Sequence, residues 1–152
     1  PERLEKAKNK DLSAEEAVIL ASIVQAETSN ISEAPIVAGL YLNRLKIGQA
    51  LQADPTLIYA WDDISITRVL NKHKEIDSPY NTYTHTGLPP GTIRTPEPTY
   101  IDAVLNATEH DYLYMCAEPG GTGKHVFERR YRNHLRNARK YQNWLNKQNI
   151  YR

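Results

Sequence analysis

The stretch Leu20-Ala21-Ser22-Ile23-Val24-Gln25-Ala26-Glu27-Thr28-Ser29 decides how the chain folds. With Ala17 before it, it reads as the second half of an amphipathic helix, its apolar residues recurring at helical spacing. At roughly 100° per residue, Glu27 does not fall on the polar side. It follows Ile23 by four positions and Leu20 by seven, so it shares their face. A carboxylate on a core-facing stripe is costly unless it is paired or opens into a cleft. Desolvation there would raise its pKa, as a general acid requires. Two readings stay open at this point. Glu27 either ends the helix and faces solvent, or it is a functional acid.

Upstream, Ser13-Ala14-Glu15-Glu16 forms a capping box, so the helix is predicted to run from Ser13 to about Thr28. Residues 1–12 are a charged lead-in, read at most as a frayed helix, and residues 13–152 are read as one domain. Downstream, Ser29-Asn30 breaks the helix. Ser32 is expected to cap a second one, with Pro35 in its first turn and Gly48 as its stop. Ile36, Val37, Leu40 and Tyr41 give it an apolar stripe, and the short link predicts a helical hairpin.

Gln49 to Thr56 is a connector in which Asp54-Pro55 marks a turn or a helix start, and Thr56 to Trp61 is short and apolar. Ser65 to Lys72 is predicted as a short helix. Asp77 to Pro98 holds Pro79, Pro89, Pro90, Pro96 and Pro98 of the nine prolines, which argues against regular structure. Being rich in Tyr, Asn and Thr rather than charge, it reads as an ordered binding loop. Pro98 to Ala107 reads as a helix, with Tyr100, Ala103 and Val104 inward. Tyr112 to Ala117 reads as a buried strand, and His125-Val126-Phe127 returns beside it across a glycine turn. Tyr131 to Asn149 reads as a basic helix.

The 152 residues suit one domain with a core, and 19 Lys+Arg against 18 Asp+Glu demand neither a nucleic-acid nor a membrane partner. No run of about 18 apolar residues and no signal peptide is present. The chain starts at Pro1, and we read it as a fragment of something longer. Cys116 is the single cysteine, so no intrachain disulfide forms. Ten Tyr suit stacking on sugar rings, and equally suit half-buried packing.

The histidines His73, His85, His110, His125 and His134 show no ligand spacing, so neither a metal nor any other cofactor is expected. No nucleophile elbow occurs. Cys116 sits in an apolar strand, where a thiol fills space. The run from Gly120 to Lys124 lacks phosphate-loop spacing and reads as a hairpin turn. Carboxylate chemistry remains, with Glu27 and, in Leu51-Gln52-Ala53-Asp54-Pro55-Thr56, Asp54. A glycosidase normally uses two carboxylates. Asp54 equally fits a turn or cap ahead of Pro55.

From about Leu20 to Asn137 the chain resembles the catalytic domain of the MltG-type (YceG-like) endolytic murein transglycosylases. The resemblance is carried by Ala21-Ser22-Ile23-Val24 with Glu27-Thr28, Val37-Ala38-Gly39 with Asn43-Arg44-Leu45, and Leu51 to Thr56. It continues through Tyr80-Asn81-Thr82-Tyr83, Gly87-Leu88-Pro89-Pro90-Gly91, Tyr112-Leu113-Tyr114 and His125 with Phe127. The chain departs from the pattern at Gln25-Ala26, Thr92, Glu97 and Leu135.

The resemblance implies an α+β, helix-rich, lysozyme-like catalytic domain with a small β-hairpin. It implies Glu27 as catalytic acid, then base. A glycan cleft lined by Asn43, Arg44, Gln52, Asp54, Thr56, Tyr80, Asn81, Thr82, Tyr83, Leu88, Pro89, Pro90, Gly91 and His125 would follow. The substrate would be peptidoglycan strands, cut between MurNAc and GlcNAc to leave a 1,6-anhydro end, with no metal. It also implies an upstream membrane anchor and extra domain, a periplasmic position at the outer face of the inner membrane, and cell-wall synthesis proteins as partners. Two rivals stand beside it: a muramidase that uses water, and a non-catalytic glycan-binding or scaffold module.

Overall fold

The computed structural model describes residues 1–148. Its helices are α1 (Glu2–Asn9), α2 (Ala14–Glu27), α3 (Ala34–Lys46), α4 (Asp54–Trp61), α5 (Pro98–Leu105) and α6 (Tyr131–Lys147), with a short 3-10 helix at Asn71–Glu75. Strands β1 (Tyr114–Ala117) and β2 (His125–Glu128) pair antiparallel, Cys116 opposite Val126. The class is α+β. Among the described residues no helix is long and apolar enough to cross a membrane.

Helix α2 is the axis of the core. The capping box at its start forms, with Ser13 Oγ accepting from the Glu16 N–H at 3.0 Å and Glu16 Oε1 accepting from the Ser13 N–H at 2.9 Å. The spacing predicts an amphipathic helix, yet every residue from Ile19 to Gln25 is buried. Leu20, Ala21, Ile23 and Val24 are each 0% exposed, and Ser22 and Gln25 are buried as well. The physical reason is that α3, α4 and α5 each pack on α2, so its short polar side chains are enclosed too. They are bonded rather than stranded. Ser22 Oγ donates to the Ile19 carbonyl at 2.6 Å and accepts the Ile93 N–H at 3.2 Å, tying the long loop to the core.

Two departures from the family pattern turn out to be partners. Gln25 Oε1 accepts the Glu97 N–H at 2.7 Å and Gln25 Nε2 lies 3.3 Å from Glu97 Oε1. Glu97 is the N-cap of α5 and has no side-chain cap of its own, so Gln25 satisfies an orphan donor at that helix start.

The lead-in folds as α1. Ala7 is buried, and Arg3 grips Asp102 of α5 with two bonds at 2.8 and 3.1 Å. The spacing predicts Ser32 as the cap of α3, but it does not cap that helix. Ser32 N–H and Oγ both bond Asn30 Oδ1, and the helix starts after Glu33 with Pro35 in its first turn. The helix expected over Ser65 to Lys72 is absent. Asp62 ends α4 in a left-handed conformation, and Asp63 Oδ1 captures the Ser65 N–H and hydroxyl, a local bond that competes with helix formation.

The long irregular segment expected from Asp77 to Pro98 is irregular. Strand β1 begins two residues later than expected, because the Tyr112 and Leu113 carbonyls accept from Asn43 and Arg44 instead. It is half-buried rather than buried, since one face opens onto a cleft. Gly120, Gly121 and Gly123 make the hairpin turn, all at positive φ. Asn149, the predicted end of the last helix, lies outside the described residues.

Candidate active site

Thr28 stops α2 by turning extended, with φ −141° and ψ 132°, and Tyr100 Oη clamps its carbonyl at 2.8 Å. Glu27, the last helical residue, is therefore held in the lining of a cavity of about 530 Å³. Helices α2, α3 and α4 contribute Glu27, Tyr41, Arg44 and Asp54 to it. The connectors contribute Gln52 and Tyr83, and the hairpin and α6 contribute Tyr114, His125, His134 and Tyr141.

Glu27 is half-buried and accepts one hydrogen bond, from Tyr41 Oη at 3.2 Å. Its pKa is pushed up to about 7. Loss of water is the main cause, the negative charge of Asp54 adds to it, and the Tyr41 bond opposes it. A helix C-terminus also disfavours an anion, and α2 has no basic residue in its last turn.

Asp54 opens the first turn of α4, where the positive end of the helix dipole favours a carboxylate. Tyr83 Oη donates to its Oδ1, and Lys74 Nζ lies 5.1 Å from the Tyr83 ring centre. A polar turn predicts no upward shift for Asp54. The structure corrects this, because the cleft walls exclude enough water to raise its pKa, against the pull of Tyr83 and Lys74. The result is two carboxylates in one cleft. Burial raises both, Glu27 to about 7, while the Tyr83 bond and Lys74 restrain the rise at Asp54.

Of the residues expected to line a glycan cleft, Glu27, Arg44, Gln52, Asp54, Tyr83 and His125 face this cavity. Gln52 does so from a left-handed backbone, φ +50°, which is rare for a residue with a Cβ. The others build its walls. Thr82 pins the Gln52–Thr56 segment, its carbonyl accepting from Gln52 N–H at 3.1 Å and its Oγ1 from Ala53 N–H at 2.9 Å. Thr56 Oγ1 lies 2.9 Å from Thr82 Oγ1, fully buried. Asn81 is likewise 0% exposed. It donates to the Lys74 and Ile76 carbonyls and accepts from Tyr83 and Thr84 N–H, so nothing of it is left for a ligand.

Asn43 Nδ2 is spent on the His110 and Tyr112 carbonyls, at 2.8 and 2.9 Å. Tyr80 packs on Tyr59 with ring centres 4.8 Å apart. A Cβ on Gly91 would meet Tyr80 Oη at 2.8 Å, so Gly91 permits that packing. Leu88 packs on the core, Pro89 is buried and Pro90 exposed, all away from the cavity lining.

Sequence reading missed Tyr41, Lys74 and the α6 wall. For Tyr41 a signal existed: a tyrosine on the buried stripe of α3 needs a partner for its hydroxyl. Tyr114 is sandwiched between Arg44, 5.1 Å from its ring centre, and the His134 ring at 5.2 Å. Arg44 is only 5% exposed and donates to the Leu113 and Ala50 carbonyls at 2.7 Å each. Cys116 is half-buried and lines the cleft rather than filling the core, and burial raises the pKa of its thiol.

The model of the YceG-like family matches residues 1–140. The endolytic murein transglycosylase of Bacillus subtilis (strain 168) is 38% identical over 137 residues, 90% of this chain and 37% of that protein. The protein of that name from Streptococcus pneumoniae serotype 2 (strain D39) is 31% identical over 140 residues, 90% of this chain and 25% of that one. A crystal structure of a yceG-like protein from Listeria monocytogenes superposes with a TM-score of 0.78 at 32% identity, covering 87% of this chain and 42% of that one. The chain thus spans between 25% and 42% of the length of these relatives.

Proposed function

The chain belongs to the YceG-like family, and from that premise we propose that it is the catalytic domain of an endolytic lytic transglycosylase acting on peptidoglycan. The observation that carries this reading is Glu27, a carboxyl with a pKa pushed up to about 7 in the lining of a cleft that also holds the Asp54 carboxyl. At neutral pH a large share of it is protonated and able to donate.

In the proposed reaction Glu27 gives its proton to the glycosidic oxygen between MurNAc and GlcNAc as the C1–O bond breaks. Positive charge develops at C1, and ionised Asp54, held by Tyr83, stabilises it. The Glu27 carboxylate then takes the proton of the MurNAc C6 hydroxyl as O6 bonds to C1. The products are a 1,6-anhydro end and a free GlcNAc hydroxyl, and Glu27 is protonated again. One carboxyl serves as acid and then base, so no nucleophilic water and no cofactor is required.

The whole protein is proposed to act at the outer face of the cytoplasmic membrane, anchored by a segment outside residues 1–152 and beside cell-wall synthesis proteins. The presence of Asp54 in the same cleft favours one second reading, a hydrolase in which Asp54 activates water. Mass spectrometry of glycan strands digested by the wild type and by Glu27→Gln separates them. Anhydro ends formed only by the wild type support the transglycosylase. Reducing ends support the hydrolase, and intact strands overturn both.

A further inference from the structure

Glu33 sits where a helix cap would, just before α3, yet its carboxylate makes no bond to that helix. It crosses instead to the first residue of β2, 92 positions away. Its Oε1 and Oε2 lie 3.1 and 3.0 Å from the His125 backbone nitrogen, and Oε1 lies 3.4 Å from Nδ1 of the ring. The two side chains are only 11% and 12% exposed. An ionised carboxylate is a pure acceptor, so the ring nitrogen facing Glu33 Oε1 can bond it only when that nitrogen carries the hydrogen. That assigns the hydrogen of the neutral ring to Nδ1 and leaves Nε2 a bare lone pair.

Nε2 has no hydrogen-bond partner within the described residues and is not a buried, stranded atom. His125 lines the same cleft as Glu27 and Asp54. We infer that Glu33 is a positioning residue: it holds His125 as the Nδ1–H tautomer, so that Nε2 meets the bound sugar as an acceptor for a hydroxyl or N-acetyl N–H. The tautomer follows from the geometry alone, and the ligand rests on the glycan reading above. Free neutral histidine prefers the opposite tautomer, so the state is diagnostic.

Two measurements on the full chain test this. A long-range proton–nitrogen spectrum of the neutral ring should show His125 protonated on Nδ1, reverting to Nε2–H in Glu33→Ala. Glu33→Gln, whose amide oxygen still accepts, should restore the Nδ1–H pattern. In glycan cleavage, Glu33→Ala should raise KM about tenfold with a smaller change in kcat, the loss of about one hydrogen bond. In a His125→Ala background, where Glu33 still holds the backbone N–H of residue 125, the same substitution should have a clearly smaller effect. An Nε2–H ring in the wild type overturns the inference. So does a Glu33→Ala effect of equal size with and without His125. Should the wild type cut no glycan, the function proposed above falls, while the spectrum still decides the tautomer.

Discussion

Replacing Glu27 by Gln should abolish cleavage and stabilise the domain at neutral pH. The folded carboxyl titrates near 7 against an ordinary 4.5. Below about 4.5 both folded and unfolded chains hold the proton, and Glu27 costs nothing. As pH rises toward 7 the unfolded chain ionises first, so stability is lost through that window and the loss then levels off. One pKa unit is worth about 1.4 kcal/mol, which puts the loss at about 3 kcal/mol by neutral pH.

Gln cannot ionise, escapes this cost, and keeps an oxygen for the Tyr41 hydroxyl. For a chain of this size 3 kcal/mol is roughly 6–12 °C in Tm. Thermal melts followed by circular dichroism near pH 4 and near pH 7.5 read it directly. The two proteins should melt together at the lower pH, and the variant should melt later at the higher. A variant that melts earlier at neutral pH would refute the reasoning, because Glu27 would then be an ionised, satisfied carboxylate.

Asp54→Asn removes the charge that helps hold the Glu27 proton, so the alkaline limb of the kcat/KM profile should move to lower pH as activity falls about 10- to 100-fold. Its melting point should hold or rise at neutral pH, because burial raises the Asp54 pKa in the folded chain. Asn81→Ala should cost about 2–4 kcal/mol in denaturant unfolding, since four backbone groups lose their partner and Tyr83 its seat. Tyr83→Phe should fold normally and lower kcat, with the Asp54 pKa rising further once its donor is gone, which a pH–rate profile will show. Gly39→Ala should destabilise by about 3 kcal/mol or more in the same unfolding assay, because the new Cβ would lie 2.3 Å from the Thr108 carbonyl oxygen.

The helices with strong end signals were legible in the chain. Ser13 and Glu16 fix the start of α2, and Pro98 starts α5 as the spacing suggests. Helix α2 is the central helix because Ile19 to Val24 are apolar or small on every side, which a single-stripe reading understates. The stretch Ser65 to Lys72 misled because Asp63 diverts the backbone before a helix can form. At the site, a carboxylate on the apolar stripe stood out, and Glu27 lines the cleft that also holds Asp54.

Polar residues used as braces did not stand out as such. Asn81, Thr82 and Asn43 look like sugar binders in sequence, but they satisfy buried backbone groups that only the folded loop brings near. The Gln25–Glu97 pair shows the same limit from the other side. Nothing in the sequence links the two, and in the fold they are hydrogen-bond partners.

The central claim is that Glu27 drives closure of the sugar on its own C6 hydroxyl. Its most direct test is digestion of purified glycan strands in water enriched in heavy oxygen, followed by mass analysis of the new ends. The account predicts ends one water lighter than a reducing sugar and free of the heavy isotope. New ends that carry the heavy oxygen would contradict it and assign the cleft to a hydrolase.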